Sequence, residues 1–153
     1  AEFISYDVLK AVDGYKLEYA ELQKMGFDTD HDWIDPILNT PLTKGEIGCF
    51  LSHWKAWKQC IKANEPVLVL EDDAIITDKF SYDELYKLRR QGYNFVYLGW
   101  KEMEKSININ EKFVKPVYPY WGLAYVITPE SAKILTKGKP KIIPVDEYLP
   151  QND

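Results

Sequence analysis

Four consecutive apolar residues, Val67, Leu68, Val69 and Leu70, run without a break into three carboxylates, Glu71, Asp72 and Asp73. An apolar run this short reads as a strand covered on both faces, which places it inside a sheet flanked by helices. Asn94-Phe95-Val96-Tyr97-Leu98, closed by Gly99, repeats the pattern, and residues 123–127 form a further apolar run. Residues 80–90 read as a helix with Leu85 and Leu88 inward and Gly92 at its end, and Thr128-Pro129 is a helix start with Thr128 as cap. This alternation of strand and helix predicts an α/β chain with an open, mostly parallel sheet.

The clearest helix precedes the first strand. Thr43 and Glu46 form a capping box, and Ile47, Phe50, Leu51, Trp54, Trp57, Cys60 and Ile61 follow at helical spacing until Asn64, just before Pro66. Trp54 and Trp57 therefore belong to the core. Residues 3–12 lead to the turn pair Asp13-Gly14, and residues 17–25 suit a short helix ending at Gly26. Residues 29–41 and 100–111 read as loops, 113–118 as an edge strand, and 142–145 as a last extended piece broken by Pro144. Residues 146–153 carry no structural signal.

The 153 residues suffice for one domain spanning 1–153. A net charge of -5 with only Arg89 and Arg90 as guanidinium groups excludes a nucleic-acid footprint. An anionic ligand is not excluded, because a bound divalent cation can supply local positive charge. Cys49 and Cys60 lie on one helix, roughly 16 Å apart, so they cannot pair with each other. Such cysteine usage fits a reducing, cytoplasmic setting. No apolar run is long enough for a transmembrane segment and no signal peptide is visible, although the chain opens Ala1-Glu2-Phe3 without Met.

Open parallel sheets place their sites beyond the carboxyl ends of the strands, where Glu71, Asp72 and Asp73 stand. Alternation along a strand points Glu71 and Asp73 one way and Asp72 the other. Adjacent carboxylates repel, and a hard cation such as Mg²⁺ or Mn²⁺ would relieve them and bridge to a diphosphate. A solvated acidic turn is the plain alternative.

The segment from Leu42 through Gly45, Glu46, Gly48, Ser52 and His53, followed by Leu68-Val-Leu-Glu-Asp-Asp-Ala74, resembles glycosyltransferase family 25. That family includes bacterial lipooligosaccharide galactosyltransferases and collagen hydroxylysine galactosyltransferases. Ala11-Val-Asp-Gly14, Trp121-Gly-Leu-Ala-Tyr125 and Pro144-Val-Asp-Glu147 match further family segments in the same order. The resemblance implies a GT-A-like, Rossmann-like fold and metal-dependent, inverting transfer of a sugar from a UDP-sugar donor. UDP-galactose is the implied donor, and a hydroxyl of a glycan or hydroxylysine the implied acceptor. It implies Mn²⁺ (or Mg²⁺) at Glu71 and Asp73, with Asp72 towards the donor phosphates. Asp13, Gly14, Glu46, Ser52, His53, Trp121 and Gly122 become donor- or acceptor-lining residues. The base must stand apart from the metal. Asp146, in the Pro-Val-Asp-Glu segment, is assigned that role, with Glu147 as its neighbour and competitor. The family's usual opening strand would lie ahead of Phe3, so the chain is expected to be truncated at its amino-terminus. A collagen-type parent would place it in the ER lumen.

Two other functions fit parts of the sequence. A phosphoacceptor receiver needs its acidic pair on the first strand and an acceptor Asp on a later one, whereas the next strand here ends in Tyr97-Leu-Gly99. A nucleotide-sugar or glycan-binding module could keep the fold without turnover.

Overall fold

The computed structural model describes residues 6–29, 32–77 and 81–151. Phe3, His31, Phe80, Asn152 and Asp153 lie outside the described residues. Residues 6–13 hold no regular element, and Asp13 caps a 3-10 turn, Gly14–Lys16. Helix α1 (Tyr19–Lys24) follows, then β1 (Asp28–Thr29) and the long helix α2 (Lys44–Ala63). The capping box at Thr43 and Glu46 is present, and α2 closes on Asn64 in the left-handed conformation, φ 54°.

Strand β2 (Val67–Leu70), helix α3 (Tyr82–Arg90) and strand β3 (Phe95–Glu104) come next. Short strands β4 (Ile107–Asn108) and β5 (Val114–Lys115) pair as a hairpin and lead into β6 (Tyr118–Ile127). Helix α4 (Pro129–Leu135), strand β7 (Lys141–Ile142) and helix α5 (Val145–Gln151) complete the chain.

The sheet corrects the expected topology. Its order is β2-β6-β3, and both hydrogen-bonded pairs are antiparallel, so the mostly parallel, GT-A-like (Rossmann-like) arrangement is not what forms. β2 and β3 do run in the same direction, but β6 lies between them, with Ile127 opposite both Val67 and Phe95. Parallel neighbours need a crossover of a dozen or more residues, usually a helix. After β3 the chain instead returns through the β4–β5 hairpin and runs back alongside it. The only parallel pair is β1 with β7, two residues each, among the described residues.

Three further expectations change. Residues 100–104, read as loop, extend β3, whose register shifts beyond Tyr97 and again near Glu102 as it follows β6. Residues 146–151, read as unstructured, lie in α5, where Asp146 and Glu147 occupy the first turn directly after Pro144. Carboxylates there oppose the positive end of the helix dipole. Nor is β2 covered on both faces: its residues are half-buried and Leu70 is 42% exposed.

The core forms where α2 meets β6, α4 and α5. Phe50, Trp57 and Cys60 on α2 are fully buried with Tyr125 and Ile127 on β6. Tyr148 of α5 stacks on Trp57 (centroids 5.8 Å, 17° between planes) and meets Phe50 edge-on at 5.0 Å. On the other side, α2 receives the 12–14 segment at almost no separation. A Cβ on Gly14 would stand 1.8 Å from the Lys44 carbonyl oxygen, and one on Gly48 would stand 2.6 Å from that of Val12. Both obstacles are backbone, so neither can yield by a rotamer change. Gly14→Ala is expected to cost about 1–3 kcal/mol of folding stability, read as a lowered urea midpoint.

Candidate functional site

Helix α2, the end of β2, the middle of β6 and the start of α5 converge on one place. His53, on the inward side of α2, is 4% exposed. Its Nε2 lies 2.7 Å from Glu71 Oε1, and its Nδ1 lies 2.7 Å from the Tyr125 hydroxyl. Trp57 Nε1 donates to the same hydroxyl at 2.9 Å. Glu71 sits just past β2, its amide donating to the Leu123 carbonyl at 2.9 Å, so the sheet itself fixes where the side chain begins. The hydrogen bond from His53 holds the Glu71 carboxyl below its ordinary value despite partial burial.

Cys49 stands one helical turn before His53, and Cys49, His53 and Glu71 each offer a ligand atom within 4.8 Å of the others. That cluster can chelate a metal ion. The Cys49 residue is open to solvent, but its thiol is crowded by protein atoms. This crowding, ahead of the charges of Glu71, Asp146 and Glu46, pushes the thiol up to about 11. A thiol and an imidazole suit a borderline ion such as Zn²⁺, whereas carboxylate oxygens suit Mn²⁺ or Mg²⁺.

Gly122 on β6 joins the second half of the site to the first. A Cβ placed on it would stand 3.7 Å from Val145 Cγ1 and 4.0 Å from His53 Cε1. Its amide donates to Asp146 Oδ1 at 3.2 Å. Burial pushes the Asp146 carboxyl above its ordinary value, against the backbone amides of Trp121 and Gly122, which pull it down. Glu147, next in sequence, points elsewhere. It is 9% exposed and accepts hydrogen bonds from both Tyr118 and Tyr120. Trp121 holds a left-handed backbone, φ 63°, with its ring 58% exposed and Lys101 Nζ 5.1 Å from the ring centroid. Non-glycine residues in that conformation cost on the order of 1 kcal/mol and gather at functional sites.

The expected residues thus divide. Glu71, His53, Gly122 and Asp146 come together, with Trp121 and Glu147 as chain neighbours of the last two. Asp72 and Asp73 are exposed on the turn after Glu71. Asp13, Gly14, Glu46 and Ser52 form a second group that ties the 12–16 segment to the start of α2. Asp13 caps the 3-10 turn and pairs with Lys16 at 3.1 Å. Ser52 Oγ accepts from the Val12 amide at 2.9 Å and donates to the Gly48 carbonyl at 2.7 Å. Glu46 accepts from the Thr43 amide at 2.7 Å.

Two members of the cluster escaped the sequence reading. Cys49 carried a usable signal, since it and His53 are spaced i, i+4 on one helix face. Tyr125 carried a weaker one: a phenol inside an apolar run must bond to something when buried.

Comparison with known proteins bears on the whole chain. The family profile described as glycosyltransferase family 25 (LPS biosynthesis protein) matches residues 1–120. A "Glycosyltransferase 25 family member" of Anopheles gambiae is 43% identical over 92% of the chain, and "Procollagen galactosyltransferase 2" of Homo sapiens is 37% identical over 96%. An "Inactive glycosyltransferase 25 family member 3" of Mus musculus is 34% identical over 96%. The chain spans about a quarter of the length of these relatives, 26–27%. No solved structure gave a significant match.

Proposed function

The chain belongs to glycosyltransferase family 25, and from that premise we propose that it carries a divalent-metal site for sugar transfer from a UDP-sugar. The observation that carries this reading is the pair of carboxylates joined through one buried ring: His53 bonds to Glu71 at 2.7 Å and lies beside Gly122, whose amide donates to Asp146 at 3.2 Å. Galactose as the sugar, and a hydroxylysine or glycan hydroxyl as acceptor, follow from the name of the procollagen relatives and from the family resemblance.

The carboxylates suit a hard ion better than the thiol does. Glu71 Oε1 is taken by His53, and Oε2 has no hydrogen bond among the described residues. In this reading Glu71 and Asp73 hold Mn²⁺ (or Mg²⁺), with Asp72 towards the donor phosphates. The ion, when bound, neutralises charge on the diphosphate leaving group. Asp146 takes the proton of the acceptor hydroxyl as its oxygen bonds to the anomeric carbon and the bond to UDP breaks, which inverts that carbon. Glu147 is a poor base because it is buried, 9% exposed, with two phenols donating to its Oε1. The exposed ring of Trp121 offers a face for a sugar. Asp13, Gly14, Glu46 and Ser52 serve the donor side by fixing backbone, since each already has a partner or a close backbone contact in the fold.

Asp73→Asn tests the metal assignment. It is expected to weaken Mn²⁺-dependent UDP-sugar binding by roughly tenfold or more, the scale of disturbing a metal site. Glu84→Gln, whose carboxylate pairs with Lys112 and Lys87, should change nothing. Equal calorimetric titrations for the two variants would move the ion elsewhere. The relative named as inactive favours a second reading, donor binding without transfer. Tight UDP-sugar binding by the full-length parent, with neither hydrolysis nor transfer, would select it.

A further inference from the structure

We infer that His53 is a positioning residue. The chain Trp57–Tyr125–His53–Glu71 is a one-way relay of hydrogen bonds that locks the Nε2–H tautomer and turns the free oxygen of Glu71 outward. The inference rests on the assignment of Glu71 to the metal, and it adds how that carboxylate is aimed.

The direction follows from counting protons. Trp57 Nε1 can only donate, so the Tyr125 oxygen accepts from it at 2.9 Å. Tyr125 is fully buried, and burial keeps its phenol protonated. Its own O–H therefore needs an acceptor, and among the described residues the other atom in range is His53 Nδ1, at 2.7 Å. Nδ1 then carries no proton. With Nδ1 accepting, the ring's proton lies on Nε2, which points at Glu71 Oε1 from 2.7 Å.

Packing holds this direction in place. The His53 ring lies nearly parallel to that of Tyr125, centroids 5.6 Å apart and 24° between planes. Tyr125 is itself stacked on Phe95 of β3 at 4.8 Å. Gly122 packs beside the ring, where a Cβ would lie at contact distance, 4.0 Å from Cε1. A ring so held makes Nε2 a donor to Glu71, which withdraws it from the ligand set that Cys49, His53 and Glu71 would otherwise form. Fixed donors behind a metal-binding carboxylate or imidazole typically contribute about 10–100-fold to affinity.

Nitrogen-15 spectra of the imidazole side chains test the relay directly, without metal or donor. The chain has two histidines, so a His31→Gln background leaves one ring to assign. The expected spectrum is that of an Nε2–H ring, and Tyr125→Phe should convert it to a tautomer mixture. An Nδ1–H ring in the parent spectrum overturns the inference. Mn²⁺ titration then tests the aiming. His53→Ala is expected to weaken binding by about 10–100-fold, while His53→Gln, whose amide supplies an N–H towards Glu71, retains most of it. If both variants lose Mn²⁺ equally while folded, His53 is a ligand, and if neither loses it, His53 aims nothing. Failure of the unmodified protein to bind Mn²⁺ would sink the metal assignment, and with it the aiming role. The tautomer spectrum would still decide the relay.

Discussion

Asp146→Asn is expected to lower turnover by roughly 10²–10⁴, the usual worth of a general base, while UDP-sugar and Mn²⁺ binding stay nearly unchanged. The substitution is close to isosteric, and the amide oxygen can still accept from Gly122 as the carboxylate does at 3.2 Å. Only the capacity to take a proton is lost. The pH dependence adds a second signature. Burial raises the Asp146 carboxyl above its ordinary value, so it keeps its proton to higher pH than an exposed aspartate. A base works only when deprotonated, so the acid limb of the rate profile should lie above the ordinary aspartate range. Glu147→Gln is the control, because its two tyrosine donors make it a structural acceptor. If that variant collapses and Asp146→Asn does not, the base is one residue along. The full-length parent is the material for this measurement, since the chain spans about a quarter of its relatives.

Trp57→Ala is expected to remove about 3–5 kcal/mol of stability, a large share of the roughly 5–15 kcal/mol typical of a folded domain. Trp57 is fully buried, stacks on Tyr148 and meets Phe50 edge-on at 6.1 Å. Its removal opens a cavity between α2 and α5, and it also takes away the donor that fixes the Tyr125 hydroxyl. Urea denaturation should show a lower midpoint. Trp57→Phe should recover most of the packing loss but not the hydrogen bond, so the difference between the two variants separates volume from orientation. A Trp57→Ala midpoint matching the unmodified protein would mean that the α2–α5 contact contributes little.

Local signals were the readable part of the sequence. Thr43 and Glu46 announce the start of α2, Asn64 and Pro66 its end, and Thr128-Pro129 the start of α4, because caps depend on residues a few positions apart. Sheet direction was not readable in the same way. Val67–Leu70 and Phe95–Leu98 show apolar runs, and an apolar run carries no information about which strand lies alongside. The return of β6 depends on the β4–β5 hairpin, in a polar stretch whose two-residue strands leave little periodicity to detect. At the site, His53, Glu71, Gly122 and Asp146 were legible through family segments. Tyr125 was not, since its role depends on a ring seventy-two positions away in sequence. The 146–151 helix was missed because Pro150 within it reads as a breaker.

The order of the sheet also has a consequence for biosynthesis. β6 lies between β2 and β3, yet it is translated after both of them. Once Glu104 has cleared the ribosome, a nascent chain holds two strands that share no hydrogen bonds in the finished protein. At about 5–20 residues per second, translation to Ile127 leaves them without their native neighbour for roughly 1–5 s. During that interval β2 and β3 present open edges to each other and to other chains. The late arrival of one strand therefore closes the sheet and delivers Trp121, Gly122 and Tyr125 to the site in the same event. A chain ended before Tyr118 would have neither a closed sheet nor a site.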